Sequence, residues 1–122
     1  MPKTEGFIEN RLKSVKYAIK GAFILIKTEA SIKIQVLLAI IINIAGFVFN
    51  ISSTEWILQS LAIGLVIGIE GLNTAIEAIA DFIHPEHNNK IGHIKDVSAG
   101  AVFIASISAV IVGLIIYLPK FF

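Results

Sequence analysis

The chain has 122 residues, no cysteine and a hydrophobic share of 56%. That share exceeds the soluble norm of roughly 45–50%, and the mean hydropathy of +0.84 agrees. Ten Lys and Arg against nine Asp and Glu leave a net charge of +1, so no basic surplus points to nucleic acid, and the lack of cysteine excludes disulfides and thiolate chemistry.

A globule of this size could not hide so much apolar surface, so a membrane protein is the first reading. The length suits one domain over residues 1–122. The first 33 residues carry seven basic and three acidic residues ahead of any long apolar run. That pattern does not fit a signal peptide. Over residues 7–29 a helical wheel gathers Ile8, Leu12, Val15, Ile19, Ala22, Phe23 and Ile26 in one arc. Lys13, Lys16, Lys20 and Lys27 fall in another. This predicts an amphipathic helix in the membrane interface, with its lysines toward anionic headgroups. A helix packed on the cytoplasmic loops is the alternative. Arg11 and Glu29 project beside the apolar stripe, where a charge needs a partner.

Residues 34–54 hold no charge across 21 positions, and residues 97–119 none across 23. A span needs about 20 mostly apolar residues. The first span is expected at about 34–50, followed by a tight connection with Thr54 as the next N-cap. The middle span, about 56–83, is apolar to Ile69 and polar beyond it. Two spans with a soluble middle helix are the alternative. Residues 84–89 read as a loop, because Pro85 disfavours helix at His84 and asparagines favour turns. The third span is expected at about 97–118. Nine of the ten basic residues precede position 34 or fall in the 84–96 loop. The N-terminus and that loop are therefore expected in the cytoplasm.

The middle helix has two faces. Glu70, Asn73, Thr74, Glu77 and Asp81 form one polar stripe at helical spacing. Gly64, Gly68, Gly71, Ala75 and Ala78 form a stripe of small residues that lets helix backbones approach in lipid. Ser98, Ala101, Ala105 and Ala109 give the third span a similar face. Three spans shield a polar stripe poorly, so a homo-oligomer enclosing it is expected. Ionisable residues inside a span mark function by default. If Asp81 marks the membrane boundary, Glu77 lies about 6 Å deeper and Glu70 about 16 Å deeper. Asp81 as a plain helix end and Asn73 as interhelical glue are the structural alternatives.

Two carboxylates of the stripe near the membrane surface, joined by a third from Glu29, would make a hard-oxygen site for Mg²⁺, which typically takes one or two carboxylates plus substrate phosphates. Lys95, beside Asp96 ahead of the third span, would offset phosphate charge. Glu70 would take a proton from a hydroxyl held in the bilayer. Together these describe phosphoryl transfer from a nucleotide to a lipid alcohol. No Walker A or protein-kinase motif occurs in the chain. A small proton-coupled transporter using Glu70 is the competing reading, and a structural subunit built on the glycine stripe is a third.

From Glu70 to Asp81 the chain follows E-x-x-N-[ST]-A-I-E-x-x-x-D, with Lys95-Asp96 after it and Thr28-Glu29-Ala30 before it. These segments resemble the prokaryotic diacylglycerol kinase family, which includes the undecaprenol kinases. The likeness covers about residues 11–119. It implies an all-α membrane homotrimer in the bacterial inner membrane, each protomer with a surface helix and three transmembrane helices. It implies Glu70 as general base with Asn73 supporting the site, and Glu29 and Glu77 on the Mg²⁺ of ATP. It also implies ATP contacts from Tyr17, Glu86, His87, Asn88, Lys95 and Asp96. The family's early basic residue aligns with Asn10, one place from Arg11. The turn reads Glu86-His87-Asn88, where Glu-Tyr-His is commoner. Thr54-Glu55-Trp56, the segment from Lys95-Asp96 to Val102 and Leu118-Pro119-Lys120 look more like the undecaprenol-kinase branch.

Overall fold

In lipid the backbone must satisfy its own hydrogen bonds, so apolar runs of this length become helices. A computed structural model describes residues 6–122 as four helices. They are α1 (Phe7–Thr28), α2 (Ala30–Val48), α3 (Ser53–Ile83) and α4 (Asn89–Phe121). Three of them, α2 to α4, are long and apolar enough to cross a membrane. Of the basic residues near the N-terminus, Lys3 lies outside the described residues.

No residue of α1 is buried, and its apolar arc meets no protein: Ile8 is 73% and Phe23 60% exposed. That suits a helix lying in an interface. Its C-terminal part reaches the bundle through Leu25, whose methyl lies 3.0 Å from where a Cβ on Gly71 would stand. One extended residue, Glu29 (φ −102°, ψ 116°), separates α1 from α2. The Glu29 amide closes α1 on the Leu25 carbonyl, and its own carbonyl accepts from the Lys33 amide to open α2.

The first span therefore starts at Ala30, not near 34. Lys33 sits in its first turn, where a long side chain can carry its charge out to water. At the other end, Ile51 and Asn50 donate to the Gly46 and Phe47 carbonyls, with Asn50 at φ 52°. This is a Schellman ending, with Asn in the left-handed position. A Cβ on Gly46 would stand 2.7 Å from the Trp56 ring, so only glycine lets that ring lie on α2.

The expected N-cap at Thr54 is corrected: Ser52 caps α3. Its hydroxyl accepts from the Glu55 amide at 3.2 Å, and the Glu55 carboxylate accepts from the Ser52 amide at 2.9 Å. Only Ser52 has an acid three places on, which a capping box needs. The second connection is shorter than expected as well. Asn88 accepts from the Lys90 and Ile91 amides, so α4 already runs at Asn89 and carries Lys90 to Asp96 on helix.

Helices α3 and α4 pack together most extensively, with α2 laid against α3. Buried Ser98 and Ala105 allow the close approach of α4. At about 1.5 Å per residue, α3 is about 46 Å long, more than the hydrocarbon core of about 30 Å. The glycine stripe does not serve the bundle as expected. A Cβ on Gly64 or Gly68 would meet nothing within 4 Å. Within the protomer the upper part of the polar stripe is the packed face, and most of the small-residue face is open.

Candidate active site

Glu70 and Asn73 are each only 9% exposed. Three spans thus shield this part of the stripe without a second copy. The Gln35 amide of α2 donates to Glu70 Oε1 at 3.2 Å. The Asn73 amide donates to Glu70 Oε2 at 3.2 Å and to Glu77 Oε1 at 3.1 Å. Helix spacing makes this possible, because positions 70, 73 and 77 follow each other at i+3 and i+4. Thr74 turns its hydroxyl back to the Glu70 carbonyl at 3.1 Å. Asn73 thus joins two carboxylates, one buried and one exposed.

A turn farther along, Lys95 of α4 forms an ion pair with Asp81 of α3. The pair spans the 84–88 turn and fixes the two helix ends to each other. His84 Nδ1 lies 2.8 Å from the Glu86 carbonyl and must carry the proton, since a carbonyl only accepts. Asn88 spends its side-chain oxygen on the α4 cap. Glu86, His87 and Asp96 are exposed, and Glu29 is half-buried at the helix break. Tyr17 is 68% exposed on α1. Arg11 lies over the Phe7 ring, 5.7 Å from its centre.

The structure therefore brings Glu70, Asn73 and Glu77 into one hydrogen-bonded group. Among the described residues, no hydrogen bond or ion pair ties Tyr17, Glu29, Glu86 or His87 to it. No group of three or more His, Asp and Glu among the described residues could hold a metal ion.

Sequence reasoning missed Gln35 and the pairing of Asp81 with Lys95. The one signal for Gln35 in the letters is its place as an early polar residue in a charge-free run. A second polar group, Gln59 with Asn43 and Tyr117, was also missed.

A family profile described as prokaryotic diacylglycerol kinase matches residues 16–117. The chain belongs to the prokaryotic diacylglycerol kinase family. It is 36% identical over 108 residues to the undecaprenol kinase of Bacillus subtilis, covering 88% of each chain. It is 34% identical over 111 residues to the diacylglycerol kinase of Escherichia coli, again covering 88% of each. The diacylglycerol kinase of Haemophilus influenzae is 32% identical over 105 residues, covering 86% of this chain and 88% of that one. Family and relatives support lipid kinase function. Nothing in them supports the proton-coupled transporter.

Proposed function

We propose that this kinase transfers the γ-phosphate of ATP to the hydroxyl of a membrane lipid at the cytoplasmic face of the bacterial inner membrane. The observation that carries the reading is the buried Glu70 carboxylate, held by amides on both oxygens within a family of lipid kinases. The two amide donors hold the carboxylate in place and aim its free lone pairs. Glu70 takes the hydroxyl proton as the lipid oxygen attacks the γ-phosphorus. The bond from that phosphorus to the β–γ bridging oxygen breaks, and ADP leaves. Asn73 holds Glu70 and Glu77 in register.

Glu29 and Glu77 would hold the Mg²⁺ that accompanies the nucleotide, which would supply neutralisation of the developing phosphate charge. Lys95 and Asp96, with Glu86, His87 and Asn88 of the turn and Tyr17 of α1, contact ATP. Basic residues crowd the α1 and Asp81 ends of the chain, which supports placing the N-terminus in the cytoplasm. The open face at Gly64 and Gly68 supports a homotrimer, since small residues in lipid serve helix contacts.

Undecaprenol is the proposed substrate ahead of diacylglycerol. Three segments of undecaprenol-kinase character support this, and the ion pair of Lys120 with Glu55 at 2.9 Å joins two of them. That pair stands at the end of α3 remote from Glu70, so it bears on lineage and not on the chemistry. The test is transfer of labelled γ-phosphate in mixed micelles, with undecaprenol and diacylglycerol side by side. Labelled lipid phosphate is expected, more from undecaprenol. No transfer to either lipid would overturn the reading.

A further inference from the structure

Gln35 has no part in the reaction described above, yet it joins two features of the bundle. Its amide nitrogen holds Glu70 Oε1 from a different helix. Its own Oε1 is buried and accepts no hydrogen bond, and the same is true of Asn73 Oδ1. Buried acceptors are normally satisfied, and an orphan calls for an explanation. Here two of them belong to the amides that grip the base. Either oxygen would accept from a donor brought to it, such as a substrate hydroxyl.

Gln35 also lines an apolar cleft of about 270 Å³ between α2, α3 and α4. Its walls include Ile42, Ile67, Gly113 and Ile116, and Gln59 lines it as well. On α3 it reaches from Ile67 to Gln59, about 12 Å at 1.5 Å per residue. It therefore runs away from Asp81 and Lys95. A lipid with its hydroxyl at Glu70 sends its chain in that same direction, from the boundary into the hydrocarbon. Gln35 borders both, lining the cleft and donating to Glu70.

We propose that Gln35 is a positioning residue that sets the register of the lipid alcohol. Its amide aims the Glu70 carboxylate, and the cleft it borders takes the first part of the hydrocarbon chain. The proposal rests on Glu70 being the base.

The test compares purified variants in mixed micelles, with lipid alcohols of graded chain length. Gln35→Met keeps length and apolar volume but removes the amide. It should lower kcat about ten- to a hundredfold, the effect of losing one hydrogen bond to a charged group, with the KM for ATP unchanged. Gln35→Leu also lacks the donor and should be as slow; it carries the test if Gln35→Met does not fold. A Cβ on Gly113 meets nothing within 4 Å. Gly113→Val therefore grows into open space, and should raise the KM for long-chain alcohols several-fold while sparing short-chain ones. Matching thermal melts and gel-filtration profiles exclude a general fold defect. Wild-type turnover in Gln35→Met overturns the proposal. If Glu70→Gln also turns over normally, the base assignment has failed with it. If Gly113→Val leaves the chain-length dependence unchanged, the cleft belongs to surrounding lipid or a second copy, and the chain-seating claim is overturned.

Discussion

Helix α3 carries two buried polar groups, and they are finished differently. Around Gln59, which is 3% exposed, each side chain finds a partner inside the protomer. Gln59 donates to Asn43 at 2.9 Å and accepts from Tyr117 at 2.6 Å, and Tyr117 also reaches the Ile42 carbonyl at 3.2 Å. Lys120 and Glu55 close that end. Around Glu70, two acceptors are left without donors, and Glu77 lies open. A satisfied buried network rigidifies and specifies one packing, whereas a buried acceptor without a partner calls for an explanation. The same helix thus has one end that ties α2, α3 and α4 together and one end whose buried polar group is incomplete within the protomer.

Mutations at the two ends should behave accordingly. The largest effect belongs to Glu70→Gln, which should lower phosphoryl transfer by about a thousandfold or more while nucleotide binding persists. Next comes Lys95→Met. Loss of its charge should raise the KM for ATP about tenfold, read from initial rates at saturating lipid. Its ion pair with Asp81 is largely exposed (36% and 62% for the two side chains), so the melting temperature should hardly move. Gln59→Leu should reverse that pattern. It strips partners from Asn43 and Tyr117 and should destabilise the bundle by about 1–2 kcal/mol, measured by unfolding in detergent, with ATP binding per folded protein unchanged. A loss of ATP binding there would erase the distinction between the ends. Lys120→Met should have the smallest effect, under about 1 kcal/mol and without change in turnover.

Much of this arrangement is legible in the sequence. Charge-free runs locate the spans because lipid forbids isolated charges, and the wheel over α1 gives a helix whose apolar arc stays uncovered. The 70–81 stripe names the carboxylates. What stays hidden has physical causes. The Ser52–Glu55 capping box was present in the letters, but Thr54 also satisfies the cap preference when read without its third neighbour. Asn88 and Asn89 suit a turn equally well, although the first caps a helix and the second begins it. A wheel gives faces but not neighbours, so which stripe of α3 would be packed could not be read. Gln35 and Gln59 take their meaning from partners on other helices, 35 and 16 residues away, and no local pattern carries such a pairing.

One measurement bears most directly on the central claim. Wild-type protein and Glu70→Gln, each with Mg²⁺ and labelled ATP, are presented with undecaprenol in mixed micelles, and nucleotide binding is measured on the same samples. The account predicts labelled lipid phosphate from the wild type, almost none from the variant, and equal ATP binding by both. Equal transfer by the two proteins would contradict it.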